Sequence, residues 1–372
     1  MGINSNLKIA EYFNIQGTPI SIKEFGSGHI NDTYQIRTDQ ADGPAYLLQR
    51  INNYVFKDVD VLMNNIKKVT EHLQSKMHDT DTSQKVLTII PTKDNKLYYV
   101  DDADNYWRLM ILINNTRSYD ILETESQAEE GGRAFGNFQA LLADLDPTEI
   151  DYTIPDFCNI EFRLNNFHKA LEKDAVNRKK DVKDEIEYII DRETKMNTIL
   201  QMAARGELPL RITHNDTKFN NVLLDQNDKA QCVIDLDTVM PGYVAYDFGD
   251  AIRTIINRAA EDEADLSKIQ LNIPLFKAYT KGYLETAHQF LTDYEVDSLL
   301  QGALLFPYMQ SVRFLTDYLE GDIYYKTQHP EHNLQRTRAQ LKLAFEVESQ
   351  QHILGEIIQS EAAKYNLVSK QK

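Results

Sequence analysis

The segment HNDTKFNN, at residues 214–221, and the segment VIDLD, which ends at Asp237, contain side chains suited to phosphoryl transfer. Asp216 is placed to accept a proton from a hydroxyl, and Asn221 with Asp235 offers the oxygen ligands that Mg²⁺ prefers. In phosphoryl transfer the protein must position a hydroxyl, hold a metal ion against the phosphates and neutralise charge. The residue types and their spacing therefore predict a phosphoryl-transfer site.

Two more residues of this segment have expected roles. Lys218, two positions after Asp216, is expected to bring a positive charge to the transferred group. His214 is grouped with the catalytic residues, although it is expected to hold the loop by hydrogen bonding rather than to act as the general base. The alternative is a polar turn that resembles a catalytic loop by chance. The order of parts, a strand-rich segment, the motif and then an acidic strand end at Asp235, favours the site.

The segment FGSGHINDTY is the candidate nucleotide-phosphate turn. It has Gly26 and Gly28 at the first two positions of a G-x-G-x-x-G loop and Asn31 at the third. Glycines let the backbone approach phosphate, whereas an ordinary hairpin would need them only for its turn. The residues expected to contact the nucleotide are Gly26, Gly28, Arg50 and Ile113.

The third predicted strand, AYLLQRIN, lacks the lysine that pairs with the α- and β-phosphates in protein kinases. Arg50 or Gln49 is expected in its place, and only one of them can face the cleft because consecutive strand residues point to opposite sides. Arg50 is favoured for its fixed positive charge. Its expected acidic partner on the following helix is Glu71 or Asp60, and the sequence does not choose between them.

Hydrophobic periodicity divides the chain into two parts. Five β-type runs, the last of them ending at Ile113, are PISIKEFG, NDTYQIRT, AYLLQRIN, KLYYV and YWRLMILI. One helix is predicted between them over residues 55–77, where apolar residues recur at three- and four-residue steps. After a hinge near Asn114 the pattern is mostly helical, with two β-type segments at the motifs and long amphipathic helices such as RAQLKLAFEVESQQHILGEIIQSEAAKY. We therefore predict two lobes, at residues 1–113 and 114–372.

These motifs resemble the aminoglycoside phosphotransferase and choline kinase superfamily, the small-molecule relatives of the protein kinases. Within it, ITHNDTKFNNVLLD, VIDLDTVMPG, YDFGDAIR and RFLTDYLEGDIYY resemble the N-acetylhexosamine 1-kinases, over nearly the whole chain. The resemblance implies an α+β, protein-kinase-like fold, with a small five-stranded antiparallel sheet lobe that carries one helix and a large, mainly helical lobe. It also implies the use of ATP and Mg²⁺ to phosphorylate the anomeric hydroxyl of N-acetylglucosamine or N-acetylgalactosamine.

The resemblance also implies the roles of individual residues. It makes Asp216 the base, and Asn221 and Asp235 the magnesium ligands. It also adds contacts to the sugar from Asp237, Thr238, Arg313 and Tyr324. For Arg313 the alternative is an ion pair with Asp317, one helical turn further on. For Tyr324 the alternative is an amphipathic contact with the core.

Asp247, in YDFGD, is expected to cap a helix that begins near Gly249 and so to brace the catalytic loop, rather than to bind metal. Two other functions stay open. One is a kinase of the same superfamily that acts on an amino alcohol, an aminoglycoside or another sugar. The other is a non-catalytic sensor of a nucleotide or a sugar.

Composition limits the possible partners. A formal net charge of −17 without a concentrated basic patch argues against nucleic acid and anionic membrane as partners. Two isolated cysteines, Cys158 and Cys232, give no disulfide framework, and the N-terminus has no basic segment followed by a long apolar run. A cytoplasmic protein with small-molecule partners is expected, and the oligomeric state has no signal in the sequence.

Overall fold

The computed structural model describes residues 3–26, 30–77, 81–257 and 259–367. Its first part is one antiparallel sheet with the strand order β1-β2-β3-β6-β4, in which β5 also pairs with β6. The strands are β1 (Pro19–Glu24), β2 (Asp32–Thr38), β3 (Tyr46–Ile51), β4 (Ile89–Ile90), β5 (Tyr99–Val100) and β6 (Tyr106–Ile111). The five predicted runs each contain a strand, but the sheet has six, because the short β4 was not predicted.

The two faces of this sheet bury different sets of side chains. On one face Tyr46, Leu48 and Trp107 pack against Ala10 and Phe13, which follow an N-terminal helix, α1 (Ile3–Ile9), that was not predicted. On the other face Ile51 and Met110 join the core formed by the helix α2 (Val59–Ser75). Because strand residues alternate between faces, this arrangement fixes which polar residues of β3 and β6 point toward α2.

The helix α2 confirms the predicted periodicity but is shorter than the predicted segment. Asp58 caps its first turn, since the carboxylate accepts a hydrogen bond from the N–H of Val61 at 3.0 Å. Its buried apolar residues are Val59, Leu62, Met63, Ile66, Val69 and Leu73. They pack not only under the sheet but also against Phe138, Ile212 and Leu236 from the second part of the chain. The two parts thus share one of the hydrophobic cores.

The second part of the chain is mainly helical. Its helices are α3 (Glu125–Leu141), α4 (Ile160–Lys173), α5 (Lys183–Ile190), α6 (Glu193–Met196), α7 (Thr198–Ala204), α8 (Val244–Ile255), α9 (Ile273–Ala287), α10 (Asp293–Glu320), α11 (His332–Ser349) and α12 (Gln351–Ala363). The last predicted helical segment is two helices, because the chain breaks at Gln350. Within the described ranges, no helix combines the length and the apolar character needed to cross a bilayer.

Four short strands interrupt these helices and form two antiparallel ribbons, as the two predicted β-type segments indicate. They are β7 (Arg211–Thr213), β8 (Val222–Leu224), β9 (Ala230–Val233) and β10 (Met240–Gly242). β7 pairs with β10, and β8 pairs with β9. The connections between β7 and β8 and between β9 and β10 therefore lie side by side, and these connections carry the predicted site.

Glycines allow two pairs of long helices to touch at the backbone. A Cβ atom on Gly132 of α3 would lie 2.1 Å from the carbonyl oxygen of Tyr279 in α9, and a Cβ on Gly282 of α9 would lie 1.9 Å from a carbonyl oxygen of α3. A Cβ on Gly249 of α8 would lie 2.3 Å from the carbonyl oxygen of Gly302 in α10. These distances are too short for any side chain, so only glycine permits the crossings.

Candidate active site

Hydrogen bonds join the connection that contains HNDTKFNN to the connection after β9. The side-chain amide of Asn215 donates to the carbonyl oxygens of Thr213 and Thr238, at 3.1 Å each. In return, Oγ1 of Thr238 donates to the carbonyl oxygen of His214 at 2.8 Å. These bonds satisfy buried backbone groups in irregular chain and fix the two connections relative to each other.

His214 holds the loop from inside the protein. Its ring is fully buried and packs edge-on against Phe135 and Phe138. Its Nε2 atom lies 2.8 Å from the carbonyl oxygen of Ile234. The structure thus places His214 in the interior, where its ring is bonded to the chain next to Asp235.

Asp247 braces the same loop from α8. Its carboxylate accepts hydrogen bonds from the backbone N–H groups of His214 at 2.9 Å and Asn215 at 2.7 Å, and from the side chain of Gln139 at 2.7 Å. Burial raises the pKa of Asp247, although these donors act in the opposite direction. The predicted bracing is confirmed, but the predicted N-cap is wrong, since α8 begins at Val244 and Asp247 lies inside its first turn.

The side chains of Asp216, Lys218 and Asn221 converge on one side of the loop. Nζ of Lys218 lies 3.0 Å from Oδ2 of Asp216, and the side-chain amide of Asn221 donates to the carbonyl oxygen of Asp216 at 2.8 Å. Burial favours the neutral amine of Lys218, but the charges of Asp216 and Asp235 outweigh it and raise the pKa of Lys218. Lys218 therefore carries its positive charge directly beside the carboxylate expected to be the base.

Asp235 and Asn221 have the free oxygen atoms that a hard cation requires. Asp235 has a left-handed backbone with φ of 62°, and its exposed carboxylate has no hydrogen-bond or ion-pair partner among the described residues. Desolvation of the carboxylate by the surrounding protein, together with the charges of Asp237 and Asp216, raises the pKa of Asp235 to about 6. A bound cation would relieve this repulsion, and Oδ1 of Asn221 is likewise without a partner in the described part of the chain.

The expected magnesium ligands are thus one carboxylate and one amide. The described residues contain no group of three or more His, Cys, Asp or Glu side chains arranged to hold a metal ion. This donor set fits Mg²⁺, which is usually bound through one or two carboxylates and completes its shell with water and substrate phosphates.

Asp237 and Thr238 are not free to contact a sugar. Asp237 is buried, and its carboxylate binds Nη1 of Arg108 at 2.5 Å and the side-chain amide of Asn31 at 2.7 Å. Thr238 is buried too, and its hydroxyl is used by the bond to His214 described above. We therefore correct both predicted roles: Asp237 links the sheet to the catalytic loop, and Thr238 joins the two connections.

Arg50 does not face the cleft. Its Cα lies opposite that of Trp107 on β6, so it points to the α1 side of the sheet, where it is 46% exposed and forms an ion pair with Asp32. Neither Glu71 nor Asp60 is its partner. The cleft-facing residue of β3 is Gln49, the alternative that was not favoured, and its Oε1 accepts a hydrogen bond from Nε of Arg108 at 2.9 Å.

The other expected nucleotide contacts are Gly26, Gly28 and Ile113. Gly26 has a φ of +78° and open space around its α-carbon, as a phosphate turn requires, whereas Gly28 lies outside the described residues. Ile113 buries its side chain in the core shared with α2, so any contact from Ile113 to a nucleotide is made by its backbone.

Arg313 lies in the last turns of α10 and Tyr324 lies shortly after its end, and neither alternative proposed for them holds. Asp317 accepts hydrogen bonds from the backbone N–H groups of Ile323, Tyr324 and Tyr325, and its ion pair with Arg313 is not formed. The guanidinium of Arg313 instead donates to Oε1 of the neighbouring Gln310 at 2.9 Å. Tyr324 is 64% exposed, so it is not a core residue.

Arg163 is a second guanidinium in this region, and the sequence analysis did not find it. Its Nη2 donates to the carbonyl oxygen of Phe157 at 2.7 Å, while its buried Nε has no partner among the described residues. Burial and the nearby charge of Arg313 lower the pKa of Arg163. The buried hydroxyl of Tyr325 also lacks a partner there. Nothing in the local sequence of α4 distinguishes Arg163 from a surface arginine.

Arg163 and Arg313 lie near α8, since the charges of both arginines act on the buried thiol of Cys158, as does the charge of Asp250 in that helix. This buried carboxylate accepts hydrogen bonds from Nε and Nη2 of Arg253 at 3.0 and 2.9 Å. Burial raises the pKa of Asp250, Arg253 acts against this, and the charge of Asp216 adds to it. The YDFGDAIR segment therefore places the Asp250–Arg253 ion pair near the catalytic loop, in addition to Asp247.

Residues 21–286 match the model of the phosphotransferase enzyme family. The fold is similar to that of an aminoglycoside phosphotransferase from Alicyclobacillus acidocaldarius, with a TM-score of 0.60, 12% identity and 96% of each chain covered. It is also similar to choline kinase from Cryptosporidium parvum, with a TM-score of 0.58, 12% identity and coverage of 98% of this chain and 100% of that one.

A third similar structure is a spectinomycin phosphotransferase in complex with ADP and spectinomycin, with a TM-score of 0.54, 12% identity and coverage of 94% and 99%. At these identities the likeness establishes the fold, a protein-kinase-like sheet lobe and helical lobe, and not the substrate. The family match covers the sheet, the catalytic loop, Asp235 and most of α9. The chain belongs to the phosphotransferase enzyme family.

Proposed function

We propose that this protein is a kinase that uses ATP and Mg²⁺ to phosphorylate the anomeric hydroxyl of an N-acetylhexosamine. The observation that carries the phosphoryl-transfer part is the convergence of Asp216, Lys218, Asn221 and Asp235 on one side of the catalytic loop. The nucleotide would lie between lobes at residues 1–113 and 114–372, with its base near the backbone of Ile113.

Asp216 is the base of the proposed reaction. It takes the proton of the anomeric hydroxyl as that oxygen forms its bond to the γ-phosphorus and the bond to ADP breaks. Lys218, held 3.0 Å from Asp216, offsets negative charge that develops during transfer. When Mg²⁺ is bound by Asn221 and Asp235, it supplies charge neutralisation and orientation of the phosphates. The hydrogen bonds of Asp247 keep the loop in place. Such positioning of the reacting groups is the main contribution of the protein to phosphoryl transfer.

The acceptor side favours a neutral, oxygen-rich molecule. Arg163 and Arg313 have no carboxylate partner among the residues that the structure describes, and the hydroxyl of Tyr325 is unpaired there. Guanidinium groups donate to hydroxyl and carbonyl oxygens, such as those of a sugar and its acetamido group. They repel the ammonium groups of choline and of aminoglycosides. This charge pattern supports the N-acetyl sugar over the cationic acceptors.

The test is ADP release with Mg·ATP and a panel of N-acetylglucosamine, N-acetylgalactosamine, glucose, galactose, choline and kanamycin, with Asp216→Asn measured in parallel. We expect turnover on the N-acetyl sugars, a product phosphate that is stable to alkali and labile to acid, and a loss of about 10²- to 10⁴-fold in the variant. Turnover on choline or kanamycin alone would reject the sugar assignment. No ADP release with any acceptor of the panel, from a protein that still binds nucleotide, would favour the non-catalytic sensor.

A further inference from the structure

The cleft-facing position of β3 carries no charge. In the kinase arrangement this position holds the lysine that pairs with the α- and β-phosphates. Here it is Gln49, a neutral amide whose Nε2 is already bonded to Oγ1 of Thr33 at 2.9 Å. The adjacent Arg50 points to the opposite face of the sheet. A nucleotide di- or triphosphate in this cleft therefore needs its cation from another element.

Arg108 of β6 lies directly across the sheet from Gln49, as its Cα partner in the strand register. Its side chain is 3% exposed and is held by two bonds, from Nε to Gln49 and from Nη1 to Asp237. Its Nη2 has no partner among the residues described. The guanidinium is thus fixed in orientation by two of its nitrogens, while the third remains available for a ligand.

The surroundings of Arg108 place it between the expected phosphate turn and the expected metal. Asn31, which precedes β2, donates to the same carboxylate of Asp237 that binds Arg108. Asp237 is two residues from Asp235, and its charge is one reason for the raised pKa of Asp235. A guanidinium at this junction can contact phosphate oxygens, because it matches their geometry better than an ammonium does.

We propose that Arg108 binds the α- and β-phosphates of the nucleotide, in place of the missing β3 lysine. This inference rests on the proposed use of ATP, but it does not depend on the identity of the acceptor. It differs from a purely structural role, in which Arg108 would only neutralise Asp237 and fasten the sheet to the catalytic loop. The two roles can be distinguished by ligand binding. If Arg108 contacts phosphates, its removal weakens the binding of ligands with more phosphates most, whereas a purely structural role affects all ligands equally.

The experiment measures the binding of ADP, AMP and adenosine by calorimetry, with Mg²⁺ present, to the wild type, Arg108→Met and the matched control Arg50→Met. We expect Arg108→Met to weaken ADP binding by about 10- to 100-fold, as for the loss of one or two charge-assisted hydrogen bonds, and to leave adenosine binding within about twofold. Arg50→Met should bind all three ligands like the wild type, since its side chain lies on the other face.

Arg108→Met leaves the buried Asp237 without its cation and could destabilise the fold. The double variant Arg108→Met/Asp237→Asn replaces both charges with neutral side chains and serves as the reference. Thermal melting checks that it is folded. Equal weakening of adenosine, AMP and ADP in both Arg108 variants would overturn the proposal in favour of the structural role. Unchanged ADP binding would overturn it as well. A wild type that does not bind ADP in the presence of Mg²⁺ would instead reject the proposed function itself.

Discussion

Nζ of Lys218 lies 3.0 Å from Oδ2 of Asp216, so the expected base and the expected charge-neutralising group are in direct contact before any substrate binds. Lys218→Met should lower kcat by about 10²- to 10³-fold, the range for loss of one preorganised donor at a reacting group, with a small change in KM for ATP. Steady-state kinetics measure this. Lys281→Met, which removes an exposed lysine paired with Glu129, is the control and should match the wild type.

Asp247 should be important for stability as well as for catalysis. Asp247→Ala leaves the buried N–H groups of His214 and Asn215 without acceptors, so we expect the free energy of unfolding to fall by about 3 kcal/mol in urea titrations. The N-cap variant Asp58→Ala, at an exposed helix start, should cost about 1 kcal/mol. Similar losses for the two variants would show that the loop does not depend on Asp247.

Asp235 gives a pH dependence whose sign can be checked without a substrate. Its pKa is about 6 in the folded protein and about 3.9 in an unfolded chain, so without metal its ionisation destabilises the fold progressively as pH rises through this interval. Asp235→Asn removes that penalty. The variant should melt above the wild type at pH 7.5, and the difference should shrink at pH 4.5.

Magnesium should reverse the effect of Asp235 on melting. With saturating Mg²⁺ and ADP, the wild type should gain thermal stability and Asp235→Asn should gain less, because it lacks the charged ligand. An equal rise in melting temperature in both proteins would show that Asp235 is not a magnesium ligand.

Arg163 and Arg313 should act on the acceptor and not on the nucleotide. Arg163→Met or Arg313→Met should raise KM for the N-acetyl sugar by about 10-fold or more, since each change removes donors from a partly desolvated site, while KM for ATP stays constant. Arg205→Met, which changes an arginine paired with Glu207 on the surface, is the control. A parallel rise in both KM values would indicate a general loss of structure.

The catalytic loop could be predicted from the sequence because its chemistry is local. Asp216, Lys218 and Asn221 lie within six consecutive positions, so their spacing alone brings them together. The phosphate cation could not be predicted in this way. Whether Gln49 or Arg50 faces the cleft depends on the packing of α1 against one face of the sheet. The pairing of Arg108 with Asp237 joins residues 129 positions apart.

The fold shows the same division between local and distant information. Periodicity located α2 and the long helices, because an amphipathic pattern repeats many times within each of them. The strand β4 has only two residues, and its place beside β6 depends on tertiary pairing. The break at Gln350 has no proline or glycine to mark it, and it separates α11 from α12 in a segment of continuous helical pattern.

The backbone contacts at Gly132, Gly282, Gly249 and Gly302 have a consequence for engineering this protein. They make the crossings of α3 with α9 and of α8 with α10 intolerant of any larger residue, and α8 is the helix that holds the catalytic loop. Libraries intended to change the preferred acceptor should therefore leave these four positions unaltered. Diversity is better introduced at Ile323 and Tyr324, whose side chains are 76% and 64% exposed and do not belong to the helical core.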